Sequence, residues 1–130
     1  MKTTRPLLIL GSCLLVTACS QTSRAPLLEQ DSRCPATLEL GQTLTLSLPS
    51  NPTTGFRWDI RESADKVLRS LGPEVYRTPE AAGIVGAGGV SSWRFTAHSR
   101  GEDRLLLTYQ QPWEPHAKPA QTFDCVIRVK

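Results

Sequence analysis

The sequence predicts an all-β domain, either a β-sandwich or a barrel, and three observations support this class. Apolar residues recur at every second position in several short segments, as they do in strands that are buried on one face. Turn-forming residues separate these segments at short intervals. The chain has 130 residues, of which 39% are hydrophobic and 21% charged, and this is the length and composition of one folded domain.

Six segments alternate clearly, and each one predicts a half-buried strand. The inward-facing residues, in chain order, are Leu38 and Leu40; Leu44, Leu46 and Leu48; Phe56, Trp58 and Ile60; Trp93, Phe95 and Ala97; Leu105, Leu107 and Tyr109; and Phe123, Cys125, Ile127 and Val129.

The segment from Val67 to Tyr76 is less regular and predicts one or two short strands around Gly72 and Pro73. The preceding stretch ESADKVLRSLG has the composition for a turn or two of helix before Gly72. No stretch predicts a convincing amphipathic helix.

The N-terminal residues predict an export signal. Lys2 and Arg5 form a basic region, and the apolar run from Pro6 to Val16 is too short to span a bilayer comfortably. The run ends in VTAC, residues 16–19, which resembles the bacterial lipobox. We therefore expect residues 1–18 to be a lipoprotein signal peptide and Cys19 to be the lipidated residue. An ordinary signal peptide or an uncleaved anchor is the alternative reading of this segment.

The residues that follow the lipobox predict a membrane-tethered domain. Ser20 rather than an aspartate follows Cys19, which by resemblance to lipoprotein sorting favours the outer membrane and a domain that faces the periplasm. Residues 19–35 show no sustained period and predict a tether to a domain over residues 36–130. Without residues 1–18 the formal charge falls from +3 to +1, which gives no electrostatic case for a nucleic-acid partner.

Cysteine usage predicts one disulfide. Cys13 lies in the leader and Cys19 is the lipid site, so that Cys34 and Cys125 remain in the exported domain. In an oxidising compartment these two would pair. The bridge would close a loop of about 90 residues, for which the chain-entropy model gives roughly 4 to 5 kcal/mol.

A catalytic cysteine or a metal site is the competing interpretation of these residues. The sequence has no CxxC or HxxH spacing, and His98 and His116 lie in loop-like sequence without a paired motif. We expect neither a metal nor another cofactor.

Three loops between the predicted strands have unusual compositions. In the first, residues 51–56 (NPTTGF), Pro52 fixes its own φ and Gly55 permits a positive φ, so the backbone itself is stiff. The second, residues 79–92, contains glycines that allow close approach to another surface. In the third, residues 110–121, Trp113 lies between Pro112 and Glu114. An exposed tryptophan on a proline-rich loop indicates a binding partner. Taken one at a time, however, the loops also fit a tight β-turn, a flexible glycine linker and a tryptophan folded back over the end of the sandwich.

Taken together, the three loops closely resemble those of the chagasin family, which are protein inhibitors of papain-like cysteine peptidases. The resemblance covers about residues 38–130. Its first motif is highly specific, its third fairly specific, and its glycine motif weak alone. The matching residues are Asn51, Pro52, Thr53, Thr54, Gly55 and Phe56 in the first motif, Gly86, Ala87, Gly88 and Gly89 in the second, and Pro112, Trp113 and Glu114 in the third.

The resemblance implies an immunoglobulin-like β-fold, a β-sandwich or barrel whose three binding loops cluster at one end and enter the peptidase active-site cleft. Thr53 would lie at the centre of the wedge nearest the catalytic cysteine, and Thr54 and Gly55 would hold the turn. The loop at residues 86–89 would follow the non-primed substrate groove. Trp113 would stack on the primed side, oriented by its two neighbours. Such a protein is a monomeric, reversible, non-covalent inhibitor and not an enzyme.

One position departs from the family pattern, because Gln111 stands where the third motif usually has arginine. We expect the charged hydrogen bond that arginine would supply to be weakened or lost. Two other functions compete with inhibition: a small hydrolase that uses Cys34 or Cys125 with a histidine, and an immunoglobulin-like adhesion or envelope-assembly module that binds a different partner.

Overall fold

Two β-sheets enclose a shared hydrophobic core in the computed structural model, which describes residues 25–78 and 88–130. The strands are β1 (Leu27–Leu28), β2 (Ala36–Leu38), β3 (Thr43–Ser50), β4 (Arg57–Ser63), β5 (Leu68–Ser70), β6 (Val75–Arg77), β7 (Gly89–Ala97), β8 (Gly101–Gln110) and β9 (Gln121–Val129). Two short 3₁₀ turns cover Asp31–Arg33 and Pro52–Thr54. The all-β prediction is therefore confirmed.

One sheet has five strands and the other four. The five-stranded sheet runs in the order β1-β3-β7-β5, and β6 also pairs with β7. The four-stranded sheet runs in the order β2-β9-β8-β4. The pairs β1–β3 and β2–β9 are parallel, and the other pairs are antiparallel.

The predicted alternation locates most of the core. Inward residues of β3, β7, β8 and β9 are buried, with Leu44, Leu46, Leu105, Leu107 and Ile127 fully so. A strand packed on one face buries every second side chain, so the period of two in the sequence predicts which residues are buried.

Three residues in the predicted inward set lie elsewhere. Leu40 is 43% exposed, because β2 ends at Leu38 and Leu40 lies in the turn that leads to β3. Ile60 is 37% exposed: it pairs with Leu107 but lies on β4, the edge strand of the four-stranded sheet, directly before the register shift between Ile60 and Glu62. Phe56 precedes β4 and is partly buried against the core.

The irregular segment contains two short strands, β5 and β6, on either side of Gly72 and Pro73, as predicted. The stretch before it makes a single turn, in which the amides of Val67 and Leu68 both donate to the carbonyl of Ala64. In the two described stretches of the chain we find no α-helix, and hence no helix long and apolar enough to cross a membrane.

The folded domain begins earlier than predicted. Strand β1 pairs with β3, and Leu28 is only 4% exposed, so the expected tether over residues 19–35 is already part of the sheet from Leu27 onward. A two-residue strand is too short to produce a recognisable alternation, which is why the sequence pattern missed it. Residues 1–24, with the predicted signal peptide and Cys19, lie outside the described part of the chain.

The expected disulfide joins Cys34 to Cys125, whose Cα atoms are 5.2 Å apart. Cys125 is fully buried in β9, and Cys34 packs against the core. The bridge therefore fixes the segment between β1 and β2 onto the four-stranded sheet.

The strand registers bring the first and third motif loops, and the described end of the second, to one end of the domain. Ser50 lies opposite Gly89, Arg57 opposite Gln110, and Tyr109 opposite Gln121. The connections 51–56 and 111–120, together with the residues that precede β7, therefore leave from neighbouring strand ends. We call this region the loop end.

Candidate functional site

The first motif loop is a 3₁₀ turn that its own polar side chains close. The Asn51 side chain accepts hydrogen bonds from the Thr53 hydroxyl at 2.6 Å and from the Thr53 amide at 3.3 Å. The Thr54 hydroxyl donates to the Asn51 carbonyl at 2.6 Å. Gly55 ends the turn with φ of 82°, and its amide donates to the Pro52 carbonyl at 3.1 Å. The predicted stiffness of this loop thus has a local hydrogen-bonded basis.

An aromatic cluster supports the turn from below. The buried Tyr109 hydroxyl accepts a hydrogen bond from the Asn51 amide at 2.9 Å. The Tyr109 ring lies 5.3 Å from that of Phe56 and 4.9 Å from that of Trp58, centroid to centroid. The Trp58 indole N–H donates to the Pro49 carbonyl at 2.9 Å. Both sides of the loop are therefore attached to the core, which the sequence motif alone did not indicate.

The third motif loop touches the first through Trp113 and Gly55. A Cβ atom added to Gly55 would lie only 2.3 Å from Cη2 of the Trp113 ring, so the indole occupies the space that a side chain at position 55 would need. Trp113 nevertheless remains 65% exposed. The interpretation of Trp113 as a residue folded over the end of the sandwich is thus only partly right, because most of the ring faces solvent.

Gln111 connects the same two loops. Its side-chain amide donates to the Thr54 carbonyl at 3.4 Å, and its own carbonyl accepts from the Glu114 amide at 3.0 Å. Where the family motif has a charged arginine, Gln111 thus makes a long hydrogen bond from a neutral group. Glu114 closes the turn of the third loop through its backbone.

Arg57 is a residue of the site that sequence reasoning missed. Its Nη1 donates to the Pro52 carbonyl at 3.0 Å and to the Phe56 carbonyl at 3.1 Å. It also lines a cleft with Pro112 and Pro115 of the third loop. The only sequence signal was a cation directly after the first motif, and nothing in the alternation indicated that it would turn back onto the loop.

The second motif loop is described only at its C-terminal end, since Gly86 and Ala87 lie outside the described residues. A Cβ on Gly88 would be 3.5 Å from the Ser50 carbonyl oxygen, so this loop begins beside the first. A Cβ on Gly89 would be 2.1 Å from the Arg77 carbonyl oxygen, a distance that no side chain tolerates. Gly89 thus has a structural role in the approach of β6 to β7, besides its predicted place at the binding surface.

An open groove of about 510 Å³ separates these loops from the start of β9. Its walls combine small polar and apolar groups, contributed by Pro49, Ser50, Asn51, Thr54, Phe56, Gly88, Gly89, Tyr109, Ala120 and Gln121. The loop end therefore offers a rigid, mostly uncharged surface with one large exposed aromatic ring. Such a surface suits insertion into a cleft of another protein.

The disulfide argues against the hydrolase alternative. Cys34 and Cys125 are joined to each other, so the proposed hydrolase lacks a free thiol nucleophile. Over residues 25–78 and 88–130, no three side chains of metal-binding type cluster together.

Comparison with known proteins points to one family. The family model described as "Chagasin family peptidase inhibitor I42" matches residues 37–127. Amoebiasin-1 of Entamoeba histolytica is 30% identical over 104 residues, which cover 80% of this chain and 98% of that protein.

Two solved structures share the fold. The crystal structure of the cysteine protease inhibitor EhICP2 from Entamoeba histolytica has a TM-score of 0.67 at 20% identity, over 81% of this chain and 96% of that one. The structure of PbICP-C in complex with falcipain-2 has a TM-score of 0.53 at 16% identity, over 81% and 88% of the two chains. These likenesses confirm the immunoglobulin-like β-sandwich that the family resemblance implied.

Proposed function

This chain belongs to the chagasin family of peptidase inhibitors, and we propose that it inhibits papain-like cysteine peptidases by reversible, non-covalent occlusion of the active-site cleft. It is not an enzyme, as its family consists of inhibitors. The observation that carries the proposal for this chain is the contact of Trp113 with Gly55, which joins two motif loops into one preformed surface while the indole stays 65% exposed.

The partner class is supported by what related structures contain. EhICP2 is a cysteine protease inhibitor, and PbICP-C is seen bound to falcipain-2. Each has this fold, and this chain carries the first and third loop motifs, with the described end of the second, at one end of it.

The residues of the loop end have distinct roles in this proposal. Thr53 is exposed on the 3₁₀ turn and enters the narrow part of the cleft. Thr54 and Gly55 hold the turn, Asn51 and Pro52 fix its entry, and Phe56 seats it on Tyr109. Trp113, between Pro112 and Glu114, stacks against one side of the cleft. The loop from Gly86 to Gly89 covers the other side.

Preformed loops favour tight inhibition for a physical reason. Each rotamer-rich side chain that becomes ordered on binding costs about 0.5 to 1.5 kcal/mol, and ordering a flexible loop costs more. In this chain the hydrogen bonds of residues 51–55 order the turn before the peptidase arrives. Because little free energy is lost in ordering the turn, more of the favourable contact energy of Trp113 contributes to the affinity.

The test of this function is an inhibition constant against papain for single variants, set beside the thermal midpoint of each. Trp113→Ala should weaken inhibition by tens-fold, mainly through faster dissociation, since an anchoring interfacial tryptophan is worth on the order of 2 kcal/mol or more. Thr53→Ala should cost less. Thr53→Arg should cost more than either, because it places bulk and charge in the narrow part of the cleft.

Leu40→Ala is the matched control for loss of an exposed apolar side chain, since Leu40 is 43% exposed and lies in the β2–β3 turn, away from the loop end. It should leave the inhibition constant unchanged. If the wild-type domain fails to inhibit papain and other papain-like peptidases, the inhibitor proposal is wrong. The loops would then bind a different kind of partner, as in an adhesion or assembly module. If Trp113→Ala lowers the thermal midpoint and leaves inhibition by the folded fraction intact, the role of Trp113 is structural.

We further propose that the protein is a monomeric lipoprotein anchored through Cys19 and facing the periplasm from the outer membrane. The support is the lipobox-like residues 16–19 after an apolar run, with serine at position 20. Two or more acyl chains hold a protein stably at a membrane, where one does not. Cys19→Ser should release the protein from the membrane fraction. Unchanged fractionation and electrophoretic mobility of that variant would contradict lipidation.

A further inference from the structure

The outward surface of the five-stranded sheet combines arginines that are unpaired within the described chain with exposed apolar side chains. Four cross-strand rows form it: Thr43, Thr96 and Arg69; Leu27, Thr45 and Arg94; Ser47, Ser92 and Val75; and Pro49, Val90 and Arg77. We call these twelve residues the arginine face. It runs along the length of β3 and β7 and meets the loop end only at its last row, where Pro49 also lines the groove of the loop end.

The charge of the arginine face is all of one sign. Arg69, Arg77 and Arg94 are exposed, and within the described residues none of them has a hydrogen-bonding or ionic partner for its side chain. None of the twelve positions is acidic. The neighbouring acid Glu74 bonds instead to the buried hydroxyl of Ser91, on the inner side of β7.

The outward surface of the four-stranded sheet shows the opposite arrangement. The four ion pairs found over residues 25–78 and 88–130 all lie there, between Arg61 and Asp59, Arg104 and Glu62, Arg104 and Asp124, and Arg128 and Glu102. Arg61, Arg104 and Arg128 are thus neutralised locally: the hydrogen-bonded Arg104 guanidinium, for example, lowers the pKa of the Asp124 carboxyl. Three unpaired guanidinium groups on one face are therefore a specific feature of the five-stranded sheet.

The arginine face is also unusually apolar for a charged surface. Of the seven large hydrophobic residues that are exposed in the described chain, Leu27, Val75 and Val90 belong to it, and Leu71 borders it. Leu71 and Val75 line a groove of about 420 Å³, together with the hydroxyl-bearing residues Thr45, Ser47 and Ser92 and with Arg77 and Arg94. The hydroxyls of Ser47 and Ser92 are hydrogen-bonded to each other at 2.9 Å.

This combination matches the interface of an anionic membrane. Guanidinium groups bind phosphate oxygens through paired hydrogen bonds, and their aliphatic stems tolerate apolar surroundings. Exposed leucine and valine side chains gain by leaving water at the boundary of headgroups and acyl chains. A second copy of the chain in a twofold contact would instead bring arginines against arginines, which is repulsive.

The path of the chain favours the same occupant. Strand β1, the first strand of the chain that the structure describes, lies at the edge of the five-stranded sheet. The apolar run of residues 6–16 lies upstream, and position 19 is eight residues before Leu27. Eight residues span at most about 28 Å, so an apolar or lipidated N-terminal segment in a membrane would hold this sheet close to that membrane.

We propose that the arginine face lies against an anionic phospholipid membrane, with Arg69, Arg77 and Arg94 bound to lipid phosphates and Leu27, Val75 and Val90 at the headgroup boundary. In this orientation the strands run along the membrane surface. The loop end then points sideways and stays open to a peptidase. The proposal is independent of the identity of that peptidase.

Co-sedimentation with vesicles tests the proposal. The protein is the chain from residue 20 onward, which contains every described strand and the whole described core. The vesicles are either pure phosphatidylcholine or an equimolar mixture with phosphatidylglycerol. We expect binding to the anionic vesicles at low salt and little to the neutral ones. Each arginine near such a surface changes affinity about fivefold, so replacing Arg69, Arg77 and Arg94 by Gln should weaken binding on the order of 100-fold.

The matched control replaces Arg61, Arg104 and Arg128 by Gln, which removes the same charge from the opposite sheet. It should weaken binding much less, while both triple variants keep the papain inhibition constant and the thermal midpoint of the wild type. Equal losses in the two variants would show that only net charge matters and would overturn the proposal. So would equal binding to the two kinds of vesicle, or a change in sedimentation coefficient showing that the arginine face joins two copies of the chain.

Discussion

At the scale of the single residue, the absence of a side chain at position 55 shapes the candidate site. Gly55 has φ of 82°, which the turn requires, and its missing Cβ is the space that the Trp113 ring fills. The same residue therefore satisfies a backbone condition and a packing condition. Only the first of these is visible in a sequence motif.

Substituting Gly55 separates the two conditions. In Gly55→Ala the new methyl group must displace the Trp113 ring, and we expect inhibition of papain to weaken at least tenfold because both loops lose their preformed arrangement. Gly41→Ala is a matched control, since Gly41 has φ of 86° and no atom within 4 Å of an added Cβ. It carries the backbone cost of roughly 1 kcal/mol alone. Inhibition constants and thermal midpoints of both variants provide the measurement, and equal inhibition by the two would refute the role of the Gly55–Trp113 contact.

At the scale of the element, the 51–56 turn depends on a side chain outside its own motif. Arg57, the first residue of β4, reaches back to the carbonyls of Pro52 and Phe56. It thereby ties the start and the end of the turn to one group.

Replacing Arg57 should affect inhibition more than stability. Arg57→Ala removes both hydrogen bonds from an exposed guanidinium, and we expect a several-fold weaker inhibition constant with a thermal midpoint within a few degrees of the wild type. Arg57→Lys can restore one bond and should recover part of the effect. The control is Arg61→Ala on the same strand, where the lost partner is the exposed Asp59. Loss of inhibition in Arg61→Ala equal to that in Arg57→Ala would indicate a general charge effect instead of loop bracing.

At the scale of the whole molecule, one covalent bond connects the N-terminal segment to the last strand. The Cys34–Cys125 bridge spans 91 residues of sequence and ends in the fully buried Cys125. Cys125 lies in the middle of β9, whereas the loop end begins at Gln121. Stability and inhibition should therefore depend on the bridge differently.

Removing the bridge should destabilise the domain without changing the site. For the double variant Cys34→Ala with Cys125→Ala, the chain-entropy model predicts a loss of roughly 4 to 5 kcal/mol in the free energy of unfolding. Urea unfolding measures this loss, and the reduced wild type provides a second estimate free of substitutions. The folded fraction should inhibit papain as the wild type does. A loss below about 1 kcal/mol in both samples would contradict a stabilising role for the bridge.

The sequence alone determined the features that repeat locally or depend on residue type. The period of two in β3, β7, β8 and β9 identified core residues such as Leu46, Phe95 and Leu107, because a one-faced strand must bury alternate side chains. The number of cysteines left in the exported domain predicted the disulfide, and the motif residues indicated the family. Turn chemistry at Pro52 and Gly55 gave the stiffness of the first loop, because those φ preferences are intrinsic.

Only the tertiary structure decided which distant residues meet. Trp113 rests on Gly55, Gln111 reaches Thr54, and Tyr109 holds Asn51, although each pair is more than 55 positions apart in the sequence. The β4 bulge that follows Ile60 and the short strand that buries Leu28 depend on their partner strands. The three arginines of the arginine face are scattered in the sequence and share a surface only through strand register. A one-dimensional pattern records period and composition, whereas these contacts are set by how the sheets pair and close on one core.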